Sequence, residues 1–125
     1  MNGIDFLADT NAILYFLAGN QCMRPFISCK FAYSIISEME LLSYSKLKDE
    51  EEKRIKAFLS ECNSIDITNN IRNRTIMVRK NYNIKLPDAI IAASAIENDL
   101  ILITADAGFK KIKELNLNLI TPVIS

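Results

Sequence analysis

Four carboxylates stand where packing alone does not explain an acid: Asp9, Glu40, Asp88 and Asp106. Asp9 closes the run Ile4-Asp5-Phe6-Leu7-Ala8, and Asp106 follows Leu100-Ile101-Leu102-Ile103 after Thr104-Ala105. Asp88 opens the apolar stretch Ala89-Ile90-Ile91-Ala92-Ala93, and Glu40 is wedged between Met39 and Leu41-Leu42. If a fold gathers these groups, their charges repel and raise one another's pKa. A hard divalent cation relieves that repulsion, and oxygen-rich sites suit Mg²⁺ or Mn²⁺. The chemistry this set points to is metal-assisted cleavage of a phosphodiester.

Other chemistries are narrowed by what is missing. The chain has no histidine, which removes the commonest general base, Ser-His and Cys-His nucleophile pairs and histidine-based zinc sites. Cys22, Cys29 and Cys62 are odd in number and their spacing fits neither a disulfide framework nor a zinc site, so they read as small buried or half-buried thiols. Catalysis must rest on carboxylates, hydroxyls, lysines or a hard metal. The 15 basic and 15 acidic residues cancel, so overall charge does not by itself hold the chain on nucleic acid.

Local structure must bring the acids together. The 125 residues, half of them hydrophobic, suffice for one domain over residues 1–125 with its own core. No segment approaches the roughly 18 apolar residues of a membrane span. The start Met1-Asn2-Gly3-Ile4-Asp5 lacks a secretory pattern, so a cytoplasmic chain is expected. Strands are expected at 4–8, 31–33, 65–67, 100–103 and 117–120. Helices are expected at 10–18, 36–46, 50–62, 69–82 and 108–115, with another from Pro87 to Ile96 or Asn98; 21–30 reads as loop or short helix. Asp49 to Glu52 suit the positive end of the third helix. This alternation implies α/β architecture with a parallel sheet covered on both faces.

In such a sheet, ligands bind beyond the carboxyl ends of the strands near the switch in strand order, where Asp9 and Asp106 are expected. Each has a plainer explanation as a helix N-cap, and Asp88 as an acid favoured by a helix dipole. The helix after Asp88 is apolar nearly all round, however, so it must be buried and its start must abut other elements. On a helical wheel Glu40 falls beside Ile36, Met39 and Leu47, at the edge of an inward stripe, whereas Glu38 falls opposite with Leu41 and reads as solvated. Arg72, Arg74, Arg79 and Lys80 form the densest basic patch, a solvent-facing stripe or a phosphate contact. Lys110, Lys111 and Lys113, close to Asp106, raise the same question.

The segments Leu7-Ala8-Asp9-Thr10-Asn11, Glu38-Met39-Glu40-Leu41-Leu42, Lys85-Leu86-Pro87-Asp88-Ala89-Ile90-Ile91-Ala92-Ala93 and Ile103-Thr104-Ala105-Asp106-Ala107-Gly108-Phe109 together resemble the PIN domain, and more narrowly VapC-type toxins of toxin–antitoxin pairs. The resemblance runs from the first strand to about Phe109. It implies a three-layer α/β/α sandwich with a central parallel sheet, and an Mg²⁺- or Mn²⁺-dependent ribonuclease. The family's acidic metal positions carry over to Asp9, Glu40, Asp88 and Asp106, and its hydroxyl near the last acid to Thr104, expected to bond Asp106 or a ligand water. Asn11 matches the polar residue that orients a ligand or water. Where some relatives have a polar or acidic neighbour, this chain has Ala105-Asp106-Ala107, which argues against a fifth acid there. The resemblance further implies an RNA substrate, a cognate antitoxin and a homodimer.

Two other readings compete. A phospho-receiver domain needs an acceptor Asp ending a middle strand and a lysine after a late one; Asp66 sits within 65–67, and the late strand leads into Thr104-Ala105-Asp106 instead. A non-catalytic module would use the acids only to receive a basic partner segment.

Overall fold

Three short apolar runs lie side by side as the middle of one sheet. The structure, a computed structural model, describes residues 3–124. β1 (Phe6–Ala8) pairs in parallel with β2 (Phe31–Ser34), Leu7 opposite Ala32, and with β4 (Ile101–Thr104), Ala8 opposite Ile103. β3 (Asn63–Ile65) adds outside β2, and β5 (Leu117–Leu119) outside β4. The order is β3-β2-β1-β4-β5, all parallel. The chain runs outward from β1 to β3, then returns to the other side of β1 for β4. The switch in direction therefore lies between β1 and β4.

Side chains alternate across a strand, so each strand feeds two cores. Leu7, Ala32 and Leu102 face α4 (Asn69–Asn81) and α5 (Leu86–Glu97), packing with Ile71, Val78, Ala89, Ile91 and Ala92. Ala8, Phe31, Tyr33 and Ile103 face the other way, with Ala12 and Ile13 of α1 (Thr10–Leu17), Leu41 of α2 (Ile35–Leu42) and Ile55 and Leu59 of α3 (Asp49–Ser60). The rings of Phe16, Phe31 and Phe58 meet in that second core at centroid distances of 5.1–6.4 Å. The expected α/β/α layering is what forms. The alanines at 89, 92, 93 and 95 are all buried, and their small side chains let the α5 backbone come close to its neighbours.

Of the boundaries that differ from expectation, four have a plain physical cause. α2 stops at Leu42, not Lys46, because Ser43 to Lys46 are exposed and offer nothing to bury. β3 covers 63–65, not 65–67, because the edge strand is located by its backbone pairing with β2 and not by its own apolar residues. α5 begins at Leu86, with Pro87 second. The expected helix 108–115 is only a 3-10 helix, Ala107–Lys111. Its buried Phe109, Ile112 and Leu115 recur every three residues, and Ile112 N–H to Phe109 C=O and Leu115 N–H to Ile112 C=O are bonds of 3-10 type. Among the described residues no helix is long and apolar enough to cross a membrane.

Candidate active site

Register brings the first and last acids together. Because Ala8 lies opposite Ile103, the next residues on each strand, Asp9 and Thr104, are neighbours at the carboxyl edge, and Asp9 N–H donates to Ile103 C=O at 2.9 Å. Asp9 is buried, 5% exposed, and caps α1 by accepting at Oδ1 from Thr10 N–H, 2.8 Å. Its Oδ2 accepts from the Thr104 hydroxyl at 2.6 Å and from the Asn11 amide at 3.1 Å. Asn11 closes the arrangement by accepting from Ala105 N–H at 3.0 Å. Thr104 Oγ1 accepts from Asp106 N–H, also at 3.0 Å. The expected contact from Thr104 to the Asp106 carboxylate is thus corrected: the hydroxyl donates to Asp9 and accepts from Asp106 N–H and, at 3.3 Å, from the Asn11 amide, because the sheet register sets Thr104 beside Asp9.

Asp106 is exposed and caps the 3-10 helix that follows, its Oδ1 accepting from Gly108 N–H at 2.8 Å. A Cβ on Gly108 would stand 3.0 Å from that oxygen, so glycine leaves the carboxylate room to lie in this turn. The plainer reading of Asp9 and Asp106 as helix caps is therefore correct as geometry. Capping and a second task coexist, since each carboxylate has lone pairs beyond those its cap uses.

Asp88, half-buried in the first turn of α5, faces the same edge. Burial pushes its carboxyl above the ordinary value of 3.8, Asp106 and Glu40 push it further, and Lys85 pulls it back. Asp9 is also raised, first by burial; hydrogen bonds from Thr104 and Thr10 oppose this, and the charges of Asp88 and Glu40 add to it. The four acids therefore share one electrostatic field, Asp88 linking Asp9 and Glu40 to Asp106. Among the described residues none of them forms an ion pair with Lys or Arg. An all-oxygen, anionic, unpaired donor set with no nitrogen or sulfur ligand fits Mg²⁺ or Mn²⁺. As placed, among the described residues no three of these acids close on a single ion position. Partial ligation with retained waters suits Mg²⁺, which gives up its hydration shell reluctantly.

Glu40 reaches the site by a different face of its helix than the wheel suggested. The buried positions of α2 are Ser37 and Leu41, while Met39, expected inside, is 52% exposed. Glu38, expected in solvent, is partly buried and accepts from the Tyr33 hydroxyl at 3.2 Å. Glu40 is exposed, but it lies three residues from Ser37 on a shared face, and both meet Thr10: Thr10 Oγ1 donates to Glu40 Oε1 at 2.7 Å and lies 2.8 Å from Ser37 Oγ. The wheel failed because Leu41 and Leu42 broadened its apolar arc. Thr10 and Ser37 went unnoticed as site residues. The available signal was Ser37, a small polar residue one helical turn before the acid.

The remaining candidates separate. Arg74 pairs with Glu97 at 2.8 Å and Arg79 Nε donates to Ile84 C=O at 3.3 Å, and none of the basic residues of α4 lines the cleft that Asp88 and Asp106 border. Of the three lysines after Asp106, Lys111 does: with Lys85, Asp88, Asp106 and Gly108 it borders an open cleft of about 240 Å³. The cysteines are free and half-buried, and burial pushes the Cys62 thiol up to about 11, so that it is a poor nucleophile.

Comparison with known proteins follows this geometry. The family model described as PIN domain matches residues 6–115. No curated protein sequence matches. Among solved structures, a chain of a toxin–antitoxin complex from Klebsiella pneumoniae is 33% identical, with TM-score 0.77, covering 89% of this chain and 95% of that one. A chain of VapBC2 from Rickettsia felis, bound to a DNA fragment from their promoter, superposes with TM-score 0.81 at 23% identity, covering 94% and 100%. A chain of DNA-bound VapBC from Salmonella typhimurium gives 0.78 at 19%, covering 92% and 97%. The last two likenesses are of fold.

Proposed function

The chain belongs to the PIN domain family, and from that premise we propose that it is a divalent-metal-dependent endoribonuclease, the toxin of a toxin–antitoxin pair. The reading is carried by the placement of Asp9, Glu40, Asp88 and Asp106 about the switch point of the sheet, where among the described residues no cationic side chain forms an ion pair with any of them. Those four residues would hold Mg²⁺ or Mn²⁺, which supplies charge neutralisation at phosphorus and acidifies a bound water. Asp9, fixed by three donors, is the rigid member of the set. Glu40, exposed and steadied by Thr10, is placed to accept a proton from an attacking water. Thr104, fully buried, and Asn11 act through their hydrogen bonds to Asp9, so they are positioning residues. With no histidine to serve a route through the ribose 2′-hydroxyl, the products are a 5′-phosphate and a 3′-hydroxyl.

A cognate antitoxin is the proposed protein partner, supported by the toxin–antitoxin complex to which the 33%-identical chain belongs. An apolar groove of about 280 Å³ begins at Thr10 and Glu40 and runs past Leu14, Leu41, Tyr44 and Ile55, offering a surface beside the acids. The family resemblance also supports a homodimer and a cytoplasmic place of action. The test of the central proposal is purified protein with Mn²⁺ and a mixed RNA pool. Cleavage that stops in EDTA and leaves 5′-phosphates supports the enzyme. Cleavage that persists in EDTA, or none with Mn²⁺, sinks it, and the second result favours the binding module.

A further inference from the structure

We propose that Lys85 and Lys111 form a phosphate clamp that takes a backbone phosphate next to the one being cleaved; the inference rests on the ribonuclease reading. The cleft they line is chemically mixed. Asp88 and Asp106 line it with acid, the two lysines line it with base, and Gly108, also in its lining, leaves room for the Asp106 carboxylate. Neither lysine is spent on the carboxylates: among the described residues no ion pair joins Lys85 or Lys111 to any acid. Lys85 is near enough for its charge to act on Asp88. Lys111 is aimed by its own contact, Nζ donating to Asn83 C=O at 2.6 Å. An ammonium has three donors, so two remain for a ligand.

A strand whose scissile phosphate lies over the acids must carry its next phosphate one nucleotide away. That charge cannot rest against Asp88 or Asp106, but the lysines that line the same cleft receive it. Lys110 and Lys113, lysines that are also exposed, do not line the cleft, so the clamp is a matter of position and not of local net charge.

The test uses full-length Asp9→Asn protein in EDTA, which cannot cut, and a fluorescein-labelled single-stranded RNA 12-mer of mixed sequence. Anisotropy titrations at several salt concentrations give the slope of log affinity against log salt. Each lost phosphate contact on a single strand lowers that slope by about 0.7. Lys85→Gln and Lys111→Gln, each added to this protein, are expected to lower it by that amount, and Lys110→Gln and Lys113→Gln to leave it unchanged. Equal losses in all four variants, or none in the first two, overturn the clamp. Displacement of the RNA by polyglutamate of the same charge, as effectively as by unlabelled RNA, also overturns it and assigns the lysines to an acidic protein segment. The nuclease reading fails separately: wild-type protein that leaves RNA uncut with Mn²⁺, while the slopes behave as stated, keeps the clamp and removes the enzyme. Wild-type protein with no affinity for the 12-mer removes both.

Discussion

Thr104 Oγ1 donates to Asp9 Oδ2 at 2.6 Å across 95 residues of sequence, and it is the shortest contact made by the one fully enclosed acid of the site. This bond opposes the burial that raises the Asp9 carboxyl. In Thr104→Val, Asp9 loses that donor and Asp106 N–H loses its acceptor. The expected loss is about 1–3 kcal/mol of unfolding free energy in urea. The Asp9 carboxyl should rise further, moving the pH midpoint of Mn²⁺ binding upward. Thr104→Ser keeps the hydroxyl and should restore both; failure of the serine variant to do so assigns the effect to packing.

Asp9→Asn keeps an acceptor for Thr10 N–H, so α1 retains its cap and the circular dichroism spectrum should not change. Metal-dependent cleavage should fall by more than the roughly 100-fold that loss of an outer-shell group brings. Activity within tenfold of wild type would show that Asp9 is only a cap.

The acids leave a signature in stability against pH. Asp9 and Asp88 hold their protons more tightly folded than unfolded, so the native state binds more protons in the window from about 4 upward to their raised values. Stability must then fall as pH rises through that window. With no histidine, few other side chains titrate between pH 5 and 8. In EDTA, melting should therefore move to higher temperature on acidification from pH 7 to about pH 4, and Asp88→Asn should flatten the trend. Mg²⁺ at 100 times its Kd should add about 2.7 kcal/mol at pH 7 and less near pH 4, where protons compete with it. A Mg²⁺ effect that is the same at both values would contradict ligation by these carboxylates.

Glu40→Gln should weaken Mn²⁺ binding measured by calorimetry, and Thr10→Val should weaken it by about tenfold through loss of the bond that steadies Glu40. Glu38→Gln should leave the affinity alone, because that carboxylate is occupied with Tyr33. The reverse ranking would mean that α2 presents Glu38 to the metal.

Gly108→Ala places a methyl 3.0 Å from Asp106 Oδ1, and the side chain most able to move is the exposed carboxylate. Cleavage and Mn²⁺ affinity should both drop, with unfolding free energy changed by less than about 1 kcal/mol. A large stability loss with unchanged affinity would show that the backbone shifts instead.

Much of this was legible before any coordinates. Short β-rich runs alternating with helical stretches imply a parallel sheet, and Ala89, Ile91, Ala92 and Ala93 announce a buried helix because no face of it is polar. An acid at or just past the end of an apolar strand is visible as a strand-end residue, which locates Asp9 and Asp106. What misled was local periodicity in short elements. The three-residue recurrence of Phe109, Ile112 and Leu115 imitates a helix but belongs to 3-10 turns, and eight residues of α2 were too few to fix the phase that separates Glu38 from Glu40.

The sequence by itself bounded the chemistry to be proposed, since carboxylates without histidine suit a hard cation, and burial of apolar runs demands a covered sheet. Only the tertiary structure decided which atoms meet. Thr104 serves Asp9 and not the Asp106 carboxylate because strand register is a pairing between distant segments, set by backbone hydrogen bonds that no local spacing encodes. Lys111 borders the cleft and Lys110 and Lys113 do not because a 3-10 turn, not composition, sets their directions.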